Sequence, residues 1–403
     1  MPQIQQPQQR LQLRAARFPK GAEILVADDP KSEFFYIIQS GFVYVNMNTE
    51  SSANTNKKGP GDFIGVISCM SHRSQVEKAI ALTDVIAIAV HRTQYMDLIK
   101  LSTPTALKII RTFSKNTKEM NELLMLQTTN KKVSENKALI YQVAKYYDDD
   151  GQDYIAAYAF ENFIKLNIQS PALEYAKRRY AELKNKMKVY PNPAESLRTY
   201  PRGTMVFSEY QSGAEMYVIQ SGSVKITKVL NGTEVTLAVL KQGEMFGEMA
   251  LLENKPRSAS AISHDACRLM VVNRENFDQM VATQPQMISR LTTMLADRLW
   301  SMYRQLANTS LEHPKEKMID MLALQIEKQK ITVAKGVPYQ TDLTPEDIVN
   351  LCGITQHDKA QAISELYNDP NVKLVGGKVK IPDVTELIKQ AAFYRKQNTK
   401  REK

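Results

Sequence analysis

The chain repeats itself at long period, and a repeat of this length constrains the fold more tightly than any single motif. The stretch beginning at Phe18, FPKGAEILVADDPKSEFFYIIQSGFVYVN, returns at Tyr200 as YPRGTMVFSEYQSGAEMYVIQSGSVKITK. Pro19 and Gly21 recur as Pro201 and Gly203, an offset of 182 positions. The offset is 181 over IQSG and 182 again where GPGDFIG answers KQGEMFG. A constant offset with one small indel means duplication.

Each copy is a series of short, Gly-punctuated apolar runs, such as MYVIQSG, SVKITKVL and VTLAVLKQG, and Asn231-Gly232 marks a hairpin. Many short strands at regular spacing predict an all-β roll or barrel. A helical pattern follows each roll. After the second copy, Ile288, Leu291, Leu295, Leu299, Met302 and Leu306 draw one apolar stripe over a helix spanning 286–306. The stripe packs on its own roll or forms a two-stranded seam, and a homodimer is the expected assembly.

Residues 133–190 read as helical and basic-amphipathic. Ala144, Tyr147, Gly151, Ala156 and Phe160 stand at the small and large packing positions of a tetratricopeptide repeat, which the segment resembles. A lone repeat cannot bury its own face. It must pack on a neighbour, as a spacer or as a docking surface for a protein partner. The last ninety residues change character. Thr344, Pro345 and Asp347 supply an N-cap, a first-turn proline and a capping-box acid, and Thr355 with Asp358 repeats the box. Gly353 ends the first helix, and VKLVGGKVKI reads as a ribbon. Helix, tight turn, helix and ribbon are the layout of a winged helix-turn-helix.

Composition excludes more than it selects. Three cysteines, Cys69, Cys267 and Cys352, are far apart and odd in number, with no C-x-x-C pair and no cluster of histidines, so neither a disulfide framework nor a metal site is expected. The longest apolar run, AIALTDVIAIAV, is too short to span a bilayer and is interrupted by Asp84. A cytoplasmic protein is expected, with no membrane partner. The net charge of +10 invites a polyanion partner. No phosphate-loop lysine, nucleophile elbow or paired-histidine metalloprotease motif suggests an enzyme.

One short run asks for a ligand. In GEMFGEMALLENKPRSASA, Gly247 permits a sharp turn, and Glu248 to Leu252 form a helical turn whose first amides point outward. Arg257 offers two parallel donors to an anion, and Ser258 adds a hydroxyl. Glu248 repels a phosphate but suits an adjoining sugar hydroxyl. The ligand needed has one phosphate and one sugar hydroxyl close together.

Phe246, Gly247, Glu248, Ala250, Leu251, Pro256, Arg257, Ser258 and Ala259 match the phosphate-binding cassette of cyclic nucleotide-binding domains. The chain in this respect resembles the catabolite activator, or Crp/Fnr, family. The resemblance implies an α+β architecture: two jelly-roll-like cyclic nucleotide-binding β-rolls with flanking helices, a helical tetratricopeptide-like connector and a C-terminal winged helix. Expected boundaries are a flexible tail at 1–17, a degenerate roll with its helix at 18–132, the connector at 133–190, the second roll with its long helix at 191–310, the winged helix at 311–390 and a basic tail at 391–403. It also implies roles. Glu248 would hold the ribose 2'-OH, Arg257 and Ser258 the cyclic phosphate, and Gly247 with the Met249 and Ala250 amides its oxygens. The base-contacting positions fall near Met302 and Tyr303, where Tyr303 is the candidate. The expected ligand is a cyclic mononucleotide, cyclic AMP ahead of cyclic GMP, with no metal.

The departures from the family pattern are also informative. In the first copy Val66, Gln75 and Val76 stand where the second has Glu248, Arg257 and Ser258, so acid, base and hydroxyl are all missing. A buried phosphate without its guanidinium is an uncompensated charge, and the first roll reads as structural. The recognition helix would be TQHDKAQAISEL, with Gln356 and Gln361 where DNA-reading relatives carry arginine. Glutamine pairs with adenine where arginine pairs with guanine. Candidate contacts to double-stranded DNA are Gln356, His357, Lys359 and Gln361 in this helix and Lys378 and Lys380 in the wing. Residues 311–388 hold nine lysines against twelve acids, an unusual balance for a DNA-docking module. The leading expectation is a cyclic nucleotide-responsive transcriptional regulator. The rival is a nucleotide-sensing adaptor that acts through protein contacts.

Overall fold

Both copies of the repeat fold into the same pair of antiparallel sheets. The computed structural model describes residues 13–30, 32–46, 56–129, 139–186, 191–230, 233–253, 256–355 and 357–401. The Asn231-Gly232 hairpin lies outside the described residues. The first copy contains β1 (Arg14–Phe18), β2 (Glu23–Leu25), β3 (Phe34–Ser40), β4 (Val43–Asn46), β5 (Lys57–Lys58) and β6 (Phe63–Ile64). A short helix α1 (Val66–Ser71), then β7 (Lys78–Ala81) and β8 (Val85–His91), complete it. Its sheets run β1-β8-β3-β6 and β2-β7-β4-β5. Helices α2 (Tyr95–Leu101) and α3 (Thr103–Thr129) follow.

The second copy contains β9 (Leu197–Tyr200), β10 (Met205–Phe207), β11 (Glu215–Ser221), β12 (Val224–Leu230), β13 (Thr233–Leu240) and β14 (Met245–Phe246). Then come α7 (Glu248–Glu253), β15 (Ser260–Ser263) and β16 (Cys267–Asn273). The sheets are β14-β11-β16-β9 and β10-β15-β12-β13, the same order strand for strand. Even the register shifts recur, between Ile38 and Ser40 in β3 and between Ile219 and Ser221 in β11. Inward-facing residues alternate along the strands, as a two-residue period demands: Val43 and Val45 of β4 are buried, as are Leu269 and Val271 of β16.

Between the rolls stand three helices, α4 (Ile140–Asp149), α5 (Asp153–Lys165) and α6 (Ala172–Leu183). Gly151, at φ 71°, makes the turn from α4 to α5. Tyr147, Phe160 and Phe163 are fully buried in a cluster that also takes in Met205 and Ile262 of the second roll. The helical face that could not close on itself is therefore closed by that roll.

After β16 come α8 (Arg274–Thr283) and α9 (Pro285–Thr309), then α10 (Pro314–Lys328) and β17 (Tyr339–Gln340). The chain ends with α11 (Pro345–Leu351), α12 (Lys359–Tyr367), β18 (Lys373–Val375), β19 (Lys378–Ile381) and α13 (Val384–Arg401). Strands β17-β19-β18 form a small sheet. Gly376 and Gly377, both at positive φ, make the two-residue turn between Val375 and Lys378. Thr344 and Asp347 form the expected reciprocal cap of α11. The second box does not form. Thr355 Oγ1 donates to Asp358 at 2.8 Å, and α12 starts only at Lys359 with no side-chain cap. Nor is 391 a boundary, because α13 runs through it with Leu387 and Ala391 buried.

Close contacts divide the chain into two units. One comprises 96–118 and 134–294, with the connector and the second roll. The other comprises 1–95, 119–133 and 295–403, with the first roll and the C-terminal region. Helix α9 thus gives its first ten residues to one unit and the remainder to the other. Its stripe residues Ile288, Leu291, Leu295, Leu299, Met302 and Leu306 are all buried within the single chain. Helix α3, which follows the first roll as α9 follows the second, likewise buries Ala106, Ile109, Ile110, Phe113 and Met120. Among the described residues no helix is long and apolar enough to cross a membrane.

Candidate functional site

The turn from β14 into α7 positions the cassette. Gly247 sits at φ 78°, and a Cβ there would lie 2.7 Å from the Arg257 guanidinium, so both conformation and space require glycine. Glu248 begins α7 and is 1% exposed. Ala250 and Leu251 are buried beneath it, which fixes the helical turn against the roll. With six residues α7 is too short for its dipole to define an anion site alone. Most of the positive charge must come from a side chain.

Arg257 supplies it. The residue is 4% exposed, its guanidinium 4.1 Å from the Phe207 ring centroid and 5.8 Å from that of Tyr217. Nη1 donates to the Gly247 carbonyl at 2.8 Å. Nε is buried and has no hydrogen-bond partner. An unpaired buried donor on a cation is costly, and burial holds this guanidinium's pKa below its ordinary value, against the opposing pull of Tyr217, Glu215, Tyr158 and Glu248. A phosphodiester oxygen would satisfy Nε. The residues present therefore fit an anionic ligand. Ser258 is exposed, its hydroxyl near Met249 Sδ at 3.8 Å. The structure thus brings Gly247, Glu248, Met249, Ala250, Arg257 and Ser258 into one place.

Three further residues shape this group. A Cβ on Gly213 would lie 2.5 to 2.7 Å from guanidinium atoms, so only glycine leaves Arg257 its space. Phe207 provides the ring beneath it. Glu215, hydrogen-bonded by Arg198 at 2.8 and 2.9 Å and by Tyr217 at 2.9 Å, adds a carboxylate nearby. Burial pushes Glu215 up, but those bonds outweigh it and hold the carboxyl below its usual range. Sequence reasoning missed all three. The one available signal was Gly213, an isolated glycine just ahead of a strand.

Tyr303 is the remaining candidate. Helix α9 leaves the unit of the second roll at residue 295, so Tyr303 lies in the other unit. There it is buried, and burial followed by the Glu77 and Glu119 carboxylates raises its phenol pKa.

In the first roll the same backbone has different chemistry. Gly65 sits at φ 77° before α1, as Gly247 does before α7. Val66 and Gln75 are buried. The Gly65 amide, however, donates to Glu77 Oε2 at 2.5 Å. The roll fills its own anion position with a carboxylate. Burial raises the Glu77 pKa, opposed by the Gly65 amide and by Lys58. The neighbouring loop faces outward: Trp300 Nε1 donates to Ser74 O at 2.9 Å, and Arg73 meets Asp297 at 3.3 Å and the Glu327 carbonyl.

The C-terminal candidates are largely engaged. Lys359 pairs with Glu346 at 3.4 Å, Lys378 with Asp342 at 2.9 Å, and Gln361 donates to Glu365 at 2.8 Å. His357 is exposed, Lys380 half-buried, and Gln356 lies outside the described residues. At the base of this region Asp320, fully buried, accepts from Arg304 at 3.2 Å, from Asn308 at 3.1 Å and from Arg395. Helices α9, α10 and α13 are thereby tied to one carboxylate. The three cysteines are buried and free, and no group of metal-ligating side chains occurs among the described residues.

Comparison with known proteins agrees with the geometry. The cyclic nucleotide-binding domain model matches twice, at residues 15–102 and 197–284. The Cyclic AMP receptor protein of Thermus thermophilus is 29% identical over 203 residues, 49% of this chain and 88% of its own. A CRP-like cAMP-activated global transcriptional regulator of Mycobacterium tuberculosis is 29% identical over 194 residues, 48% of this chain and 86% of its own. A cAMP-dependent protein kinase regulatory subunit of Yarrowia lipolytica is 22% identical over 270 residues, 67% of this chain and 54% of its own. The Mycobacterium tuberculosis relative is, by name, a transcriptional regulator. The chain thus holds two cyclic nucleotide-binding-type domains, is similar over about half its length to Crp-type proteins, and ends in a helix-rich region consistent with a winged helix.

Proposed function

We propose that the protein is a cytoplasmic transcriptional regulator that binds one cyclic mononucleotide in its second roll, cyclic AMP ahead of cyclic GMP. The buried, half-satisfied guanidinium of Arg257 is the observation that supports this reading most strongly. Arg257 and Ser258 take the cyclic phosphate, the amides around Gly247, Met249 and Ala250 take its oxygens, and Glu248 takes the ribose 2'-OH. The first roll is structural, since Glu77 already occupies the Gly65 amide. The helical middle segment serves as a tetratricopeptide-like connector.

Relay runs along α9, which begins beside the second roll and ends among the contacts of Arg304 and Asn308 with Asp320. Ligand shifts this equilibrium only by binding one arrangement more tightly than the other. The output is double-stranded DNA, read by α12 with Gln356, His357, Lys359 and Gln361 and flanked by Lys378 and Lys380 of the wing. A homodimer would have to use a surface other than the α9 stripe, which is buried in the single chain.

One observation favours a second reading, a nucleotide-sensing adaptor that acts on a protein partner. Lys359 and Lys378 are already neutralised by acids in a region where acids outnumber lysines. Titration of duplex DNA with and without cyclic nucleotide, at two salt concentrations, separates the two. Ligand-dependent affinity that falls steeply with salt supports the regulator. No binding at low salt supports the adaptor.

A further inference from the structure

The connector does more than close its own core on the second roll. Tyr158 of α5 donates from its hydroxyl to the Val206 carbonyl at 3.2 Å and meets the Gln211 side-chain amide at 3.1 and 3.2 Å. Gln211 lies in the turn between β10 and β11. Its Oε1 also accepts from Ser208 N at 2.8 Å, and its main-chain carbonyl accepts from Arg257 N at 2.8 Å. In the same turn Tyr210, at φ 66°, donates its amide to the Arg257 carbonyl at 2.8 Å. A left-handed non-glycine residue persists only where its surroundings hold it. Two positions later Gly213 stands against the guanidinium. A continuous path therefore runs from α5 through one side-chain amide to both main-chain groups of Arg257 and to the wall of its guanidinium.

In the first roll the main-chain pairing recurs, with Asp29 where Gln211 stands and Gln75 in place of Arg257.

We propose that Tyr158 is a positioning residue for the phosphate clamp, so that the connector sets the affinity of the second roll for a cyclic phosphodiester. This deepens the assignment of Arg257 as the clamp and rests on it. Displacing α5 moves the 208–213 turn, and the turn moves the guanidinium. Conversely, drawing Arg257 onto a phosphate is felt at α5.

The test is a double-mutant cycle on the full chain, Tyr158→Phe against Arg257→Lys, titrated calorimetrically with cyclic AMP and cyclic GMP. Phenylalanine keeps the ring and removes only the hydroxyl, and circular dichroism checks that each variant is folded. The expected result is about a three- to tenfold weakening by Tyr158→Phe that disappears in the Arg257→Lys background. An unchanged affinity, or the same loss in both backgrounds, overturns the inference while leaving the clamp itself intact. Should the unmodified chain bind neither nucleotide, the clamp assignment falls and the inference with it.

Discussion

Gln75 and Arg257 occupy the same backbone frame in the two rolls. Gln75 accepts from Asp28 N at 2.7 Å and donates to Asp29 O at 2.9 Å, while Arg257 accepts from Tyr210 N and donates to Gln211 O, both at 2.8 Å. The duplication kept the shape of the site in both places and its cation in one. A single nucleotide per chain is expected. Gln75→Arg should not add a second, because the new guanidinium would meet Glu77 before any ligand. Calorimetric stoichiometry checks this; two ligands per chain would contradict it.

Gly213→Ala should weaken nucleotide binding by about tenfold or more, the loss expected when a charge-assisted hydrogen bond is misplaced. The added methyl would collide with the Arg257 guanidinium. Titration measures the affinity. Unchanged circular dichroism would show that the fold is kept.

Glu77 makes the first roll pH-sensitive in a defined direction. Its folded-state pKa is raised by burial, so above the ordinary glutamate value the folded state holds a proton that the unfolded state has released. Its contribution to stability therefore falls as pH rises from that ordinary value through the raised one. Glu77→Gln should remove this slope. The difference in thermal midpoint between the two proteins, followed from pH 4 upward, should widen in favour of the variant.

Asp320→Ala should destabilise the unit containing the first roll and the C-terminal helices by about 3–5 kcal/mol, the cost of breaking a buried ion pair by removing one partner. Arg304 is 8% exposed at its side chain. Burial pushes Asp320 up, yet Arg304 and Arg395 outweigh it and hold its pKa below normal. Its stabilising contribution is present above the ordinary aspartate value and is lost as pH falls through the depressed one. Denaturant unfolding at neutral and acid pH reads both effects.

Much of this was legible in the sequence because duplication and glycine spacing are local signals. The 182-residue offset located two rolls of identical strand order, and Gly247, Glu248 and Arg257 named the cassette. Tertiary partnership was not legible. Tyr303 sits on the right helix, but nothing in its neighbours tells which unit the end of that helix joins. No local pattern sets Glu77 against the Gly65 amide, twelve positions away. Tyr158 meets Gln211 across 53 positions, beyond any periodicity.

The most direct measurement is calorimetric titration of the full chain with cyclic AMP and cyclic GMP, beside the Arg257→Ala and Glu248→Ala proteins. Saturable binding of one nucleotide per chain is predicted, weakened at least tenfold by either substitution. Equal affinity in the unmodified chain and the Arg257→Ala protein, or no binding of either nucleotide, would contradict the account.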